Sequence, residues 1–176
     1  MSDATTPTGL VACPTDWIAW SGRCYHRPSA ASDGTWDNAR AVCQAHGGDI
    51  ITVRTASENR FLSEAAFGGL LGTSGEPVWL GCRQSSADGT ADGNDNGSEF
   101  ASVGGWQCLR DKEGDDDYVF TNWRDTFPVV SGDDGDQCAV MMPGGYWENV
   151  ACSVTMGTVC ELQPEECKVQ DIPGEK

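Results

Sequence analysis

Nine cysteines in 176 residues constrain this chain more than any other feature. They make up about 5% of the sequence, above cytosolic usage, and no two form a C-x-x-C pair of the zinc-binding or thioredoxin kind. Disulfides are therefore the expected state, which implies an oxidising compartment and a secreted or extracellular setting. The opening MSDATTPTGL holds neither a charged n-region nor an apolar h-region, so the expectation is that an export leader is missing or the export route is unusual. With one cysteine left over, the count allows on the order of a thousand pairings, and spacing alone does not choose among them.

The length suits one domain with a tail, burying roughly 70% of the surface its unfolded chain exposes. Net charge is −16, and it is unevenly placed: the acids concentrate after residue 87. That sign opposes a footprint on nucleic acid or on an anionic membrane, and no apolar run approaches the roughly 18 residues a bilayer crossing needs. Seven tryptophans argue against a disordered acidic chain, leaving a folded domain with acidic loops.

Residues 1–12 read as a flexible lead-in, 13–162 as the domain, and 163–176 as a charged tail. Trp17 to His26 has two aromatic-rich runs around Ser21-Gly22, the pattern of a β-hairpin, which a Cys13–Cys24 bridge would staple. A first helix follows Thr35 as cap, with Trp36, Ala39, Val42, Cys43 and His46 on its apolar stripe and Gly47-Gly48 as its stop. A second begins at Thr55 with Glu58 in capping-box spacing, carries Phe61, Leu62, Ala65 and Ala66, and ends at Gly68-Gly69. Strands are expected over Asp49 to Val53, Val78 to Gly81, Gly105 to Cys108, Gln137 to Met142, Gly145 to Trp147 and Thr158 to Leu162. No repeat of fixed period is present, so solenoids and propellers are set aside. The pattern is α+β, with helices early and loop-bearing strands late, and an acidic insertion at about 83–104.

These residues resemble the C-type lectin-like domain, in its long form with an N-terminal hairpin disulfide. The likeness rests on Cys13-Pro14-Thr15-Asp16-Trp17, Cys24-Tyr25, "TWDNARAVCQAHGGDIITV" from Thr35, "VWLG" from Val78, "FTNW" from Phe120, "DQCAVM" from Asp136 and "YWENVACSVTMGTVCEL" from Tyr146. It implies two helices packed on antiparallel sheets, a long irregular loop region, and bridges Cys13–Cys24, Cys43–Cys160 and Cys138–Cys152. Cys82 and Cys108, on flanking strand-like runs, look like a fourth bridge, leaving Cys167 unpaired in the tail. Two readings of Cys167 stand: an inert thiol, or a link between two chains in a homo-oligomer.

Sugar-binding members of the family hold Ca²⁺ with a Glu-Pro-Asn or Gln-Pro-Asp triplet, an acid before a conserved cysteine, and a Trp-Asn-Asp triplet, because the ion takes 6 to 8 oxygens. At the matching positions this chain has Phe127, Pro128 and Val129, which lack side-chain oxygens. It keeps Asp136, and Trp147-Glu148-Asn149 retains an acid and an amide in swapped order. Asp136, Glu148 and Asn149 are thus candidate ligands of a weakened or shifted calcium site. The alternative is that they only hydrogen-bond loop backbone.

In the insertion, Asp88, Thr90, Asp92, Asn94, Asn96 and Glu99 have the spacing of an EF-hand loop, with Gly93 at its turn position. Against this, the flanks are not helical and Asp95 stands where an apolar residue normally pairs. A shorter loop starting at Asp92 is equally compatible. Asp115-Asp116-Asp117 and the loop 131–136 add carboxylates whose mutual repulsion a cation would relieve, although a run of like charges is usually a solvated face.

Catalysis is not expected. The only histidines are His26 and His46, and His46 suits a core or helix-capping role. There is no G-x-S-x-G, no H-E-x-x-H and no phosphate loop followed by Lys. The expectation is an extracellular recognition or cell-adhesion module. One reading is glycan binding through calcium, with Trp123 or Phe127 offering an apolar face to a sugar ring. The other is calcium-independent protein binding or self-assembly, with Phe127, Pro128 and Val129 as an apolar loop tip. Adhesion of the acidic half to a calcium-bearing mineral surface is a third, supported by charge alone.

Overall fold

The computed structural model describes residues 13–29, 33–68, 71, 75–84, 100–103, 105–109, 120–129 and 136–162. The chain opens with β1 (Ile18–Trp20) and β2 (Arg23–His26), joined at Ser21 and Gly22. Both turn residues have positive φ, 47° and 80°, the combination that matches the twist of a tight hairpin. Cys13 bonds Cys24 across this unit.

Helix α1 (Trp36–Ala45) starts where Thr35 accepts a hydrogen bond from the Asn38 N–H, and buries Trp36, Ala39 and Cys43. His46 is its C-cap and is exposed, so the apolar stripe stops one turn before the sequence periodicity suggests. Gly48 follows because a Cβ there would lie 2.0 Å from the Glu161 carbonyl oxygen. Strand β3 (Asp49–Ile50) is shorter than the expected Asp49 to Val53. Beyond it, the Ile51 N–H donates to Val159 and the Ile51 carbonyl accepts from Gly81, tying the two sheets together.

Helix α2 (Ala56–Phe67) is capped by Thr55, whose hydroxyl accepts from the Glu58 N–H at 3.1 Å. The reciprocal bond expected of a capping box is displaced by one residue: Glu58 accepts from the Arg54 N–H at 2.7 Å rather than from the cap itself.

The remaining strands are β4 (Val78–Gln84), β5 (Phe100–Val103), β6 (Trp106–Leu109), β7 (Gln137–Met141), β8 (Trp147–Ala151) and β9 (Cys160–Leu162). They form an antiparallel sheet β1-β2-β9-β3 and a second one β5-β6-β4-β7-β8. The ends of the expected insertion are therefore strand. β8 begins at the residue where the expected strand Gly145 to Trp147 ends, because Gly144 and Gly145 take φ of 95° and 84° and turn the chain.

Two buried clusters flank the second sheet. Val78, Leu80, Cys82, Ala139 and Met141 face one, with Tyr25, Leu62 and Trp147; Trp79, Cys138 and Val140 face the other, with Trp36, Ala39 and Ile50. Strands β4 and β7 read as continuous apolar runs because both of their faces are covered. The four expected bridges are present: Cys13–Cys24, Cys43–Cys160, Cys82–Cys108 and Cys138–Cys152. In a chain-entropy account Cys43–Cys160, spanning 117 residues, is the largest contribution, roughly 4 to 5 kcal/mol.

Candidate functional site

The family's ligand position falls where the segment 120–129 runs beside β8. That segment is held first by backbone: the Trp147 N–H donates to Asn122 and the Arg124 N–H donates to Trp147, both at 2.9 Å. Asn59 of α2 and Asn122 each donate to the Gly145 carbonyl, at 3.0 and 2.7 Å, and the indole N–H of Trp147 returns to the Asn59 oxygen at 2.9 Å. A Cβ on Gly145 would come within 3.0 Å of the Asn59 amide nitrogen, so the glycine permits this close approach. Beyond Asn122, a cleft of about 460 Å³ opens between α2 and this segment, lined by Asn59, Ser63, Phe120 and Asn122 among others.

Trp123 does not present its ring to solvent as a free face. It packs between Trp106, with centroids 4.9 Å apart, and Trp147, at 5.6 Å and nearly perpendicular. Edge-to-face packing of this kind supplies core cohesion. A turn follows, in which the Phe127 N–H donates to the Arg124 carbonyl, Thr126 has a φ of 76°, and the Phe127–Pro128 peptide is cis. Phe127 and Pro128 are half-buried, while Val129 is 48% exposed.

Asn149 projects from β8 onto this turn. Its side-chain oxygen accepts from the Val129 N–H at 2.7 Å, and its side-chain nitrogen donates to the Val129 carbonyl at 3.0 Å and to Gln137 Oε1 at 3.0 Å. An amide has one acceptor oxygen and two N–H donors, and here the oxygen and both donors are engaged. Its neighbour Glu148 pairs with Arg124 at 2.5 Å, and the Arg124 guanidinium lies 6.0 Å from the Tyr146 ring centroid. Asp136, just before β7, is exposed, and its backbone carbonyl accepts from the Cys152 N–H.

Tested as a calcium position, this arrangement does not fit. Phe127 and Val129 contribute no side-chain oxygen, the Asn149 oxygen already accepts from Val129, and Glu148 is ion-paired with Arg124. Among the described candidate ligands, Asp136 alone has a carboxylate with no such contact, and these oxygens fall short of the 6 to 8 required. Among the described residues no three acids, histidines or cysteines gather in a way that would hold a metal. The EF-hand-like set Asp88, Asp92, Asn94, Asn96 and Glu99 lies outside the described residues, as do Asp115 to Asp117, the loop 131–135 and Cys167.

Sequence reasoning did not single out Arg124, Gln137, Asn59 or Asn122 as parts of this region. Arg124 carried a signal, being one of few bases in the acid-rich half and adjacent to Trp123. The amides carried none, since Asn and Gln are ordinary loop composition.

A separate polar cluster sits beneath the first sheet. Arg54 donates to Glu161 at 2.5 and 3.2 Å and to Glu58 at 3.1 Å; Tyr25 donates to Glu58 at 2.7 Å. Burial pushes the Glu161 carboxyl above its ordinary value, opposed by the attraction of Arg54 and Arg23, and burial likewise raises the Tyr25 phenol. The cluster ties β2, α2 and β9 together.

The fold and sequence have clear relatives. Residues 32–162 match the family model for the lectin C-type domain. The chain is similar to the human C-type lectin domain family 17, member A, at 27% identity over 86% of this chain and 32% of that protein. Overall it spans from about a tenth to two fifths of the length of the curated relatives it matches. Among solved structures, the cow C-type carbohydrate-recognition domain of CD23, crystallised in the presence of a GlcNAc2Man3 oligosaccharide, superposes with a TM-score of 0.59 at 21% identity, covering 86% of this chain and 96% of that one. A calcium-independent type II antifreeze protein superposes at 0.58 with 19% identity, covering 86% and 95%. With the helices, the two antiparallel sheets and the bridges in place, this chain belongs to the C-type lectin domain family.

Proposed function

We propose that this domain is a non-enzymatic extracellular recognition module that contacts a protein ligand through the turn at Phe127, Pro128 and Val129, with no calcium ion at the family's ligand position. The observation that carries this reading is the commitment of the Asn149 amide to Val129: the side chain that would share a cation and a sugar hydroxyl instead fixes the turn. Val129 and Tyr146, 48% and 51% exposed, give the region an apolar surface suited to a protein contact. The disulfides agree with secretion, and no described helix is long and apolar enough to cross a membrane. The calcium-independent antifreeze relative demonstrates that a protein of this fold works without the ion.

A second reading, calcium-dependent glycan binding, is favoured by the exposed carboxylate of Asp136 and by the oligosaccharide named with the cow CD23 domain. It would draw its remaining ligands from acids outside the described residues. A glycan array run in calcium and in chelator separates the two. No glycan bound in either condition is the expected result; glycan binding abolished by chelator replaces the first reading with the second.

A further inference from the structure

The chain has two histidines, and the fold brings them together. His26 ends β2 and His46 caps α1, twenty residues apart in sequence, yet their ring centroids are 5.7 Å apart with the planes tilted by 42°. Each ring is already oriented. His26 stacks on Trp17 at 5.0 Å and its Nδ1 lies 3.2 Å from the Asp16 carbonyl oxygen; His46 Nδ1 lies 2.8 Å from the Val42 carbonyl oxygen.

A carbonyl oxygen only accepts, so in both rings Nδ1 carries the proton and donates. The neutral ring then has its lone pair on Nε2. Imidazoles that ligate metals show this same arrangement, one nitrogen donating to a carbonyl or carboxylate and the other left for the ion. The spacing agrees as well. An ion about 2.0 to 2.1 Å from a ring nitrogen stands about 3.2 Å from that ring's centroid, so two tetrahedral ligands place their centroids about 5.2 Å apart. The observed separation exceeds this by about half an ångström, so a shared ion requires the exposed His46 ring to turn until its Nε2 and that of His26 converge.

We propose that His26 and His46 form a two-histidine site for a borderline divalent transition ion, represented by Zn²⁺, with water completing the coordination. The ligand class follows from imidazole, which favours zinc, copper and nickel over calcium. This site uses no residue of the turn at Val129 or of the acidic loops, and a bound ion clamps the end of the N-terminal hairpin to the end of α1. Because neither element presents the pair when unfolded, Zn²⁺ raises the melting temperature.

The test uses the full oxidised chain carrying Cys167→Ser, which removes the tail thiol, in excess Ca²⁺ to occupy carboxylates. Calorimetry with Zn²⁺ is expected to show one ion per chain, weakened at least tenfold by either His26→Gln or His46→Gln. Because a variant can perturb folding, a second measurement uses the unsubstituted histidines: nitrogen-15 spectra of both imidazoles, in which the two Nε2 resonances shift together on adding Zn²⁺. Zn²⁺ affinity unchanged by both substitutions, or imidazole resonances unmoved by Zn²⁺, overturns the proposal.

Discussion

The Asn149 side chain is hydrogen-bonded to Val129 like a neighbouring strand, accepting from its N–H at 2.7 Å and donating to its carbonyl at 3.0 Å. Twenty residues separate the two. The contact anchors a turn that contains a positive-φ threonine and an exposed valine, so the shape of the proposed recognition surface depends on one amide.

Replacing Asn149 by Ala leaves the Val129 backbone groups and Gln137 without this partner. The residue is buried, at 9% exposure, and the expected loss is about 2 kcal/mol of unfolding free energy. Urea titration measures the loss, and hydrogen exchange at the Val129 amide should accelerate beyond the global change. An exchange rate equal to that of the unsubstituted protein would contradict the clamp.

Calcium provides a second check. If Glu148 serves Arg124 rather than a cation, Glu148→Gln leaves calcium stoichiometry by calorimetry unchanged. Asp92→Ala is the parallel variant for the insertion and reads out any ion held there. A stoichiometry lowered by one ion in Glu148→Gln would restore the family's calcium position.

The bridges predict the thiol count. Four disulfides leave one cysteine of nine, so denatured, unreduced protein should react with one thiol reagent per chain, at Cys167. Non-reducing electrophoresis should give a monomer band; a dimer band abolished by Cys167→Ser would establish the chain-to-chain link instead. Replacing both Cys82 and Cys108 by Ala should cost roughly 3 kcal/mol.

Glu161 makes stability depend on pH. Burial lifts its folded-state value above the usual 4.5, so as pH rises through that window the unfolded chain releases its proton first. The unfolded state then binds fewer protons than the folded one, and this contribution to stability falls with rising pH. It is most favourable below 4.5 and fully lost above the raised folded-state value. Glu161→Gln cannot release a proton, so the stability of the variant relative to the unsubstituted protein should rise as pH increases above 4.5 in urea titrations. A relative loss over the same window would mean that Arg54 and Arg23 outweigh burial.

Both helices were legible at the level of single residues. Thr35 and Thr55 cap where the spacing placed them, because a cap is a local contact between a hydroxyl and an N–H three residues on. The strand Asp49 to Val53 was overextended for the opposite reason. Ile51 and Val53 are apolar because they lie in the core between the sheets, and apolarity does not distinguish a paired strand from an extended connector. Gly144 and Gly145 displaced β8 by the same limitation: a positive φ is compatible with the sequence but not required by it.

The resemblance to the domain family was legible in the motifs between Cys13 and Leu162, whose order and spacing, with their cysteines, are local marks carried along the chain. Which protein groups engage Asn149, Glu148 and Trp123 was decided by tertiary structure alone. An amide, a carboxylate and an indole have the same composition whether they bind outward or inward. Val129, Arg124 and Trp106, each distant in sequence from its partner and placed beside it only by the folded chain, supply those contacts.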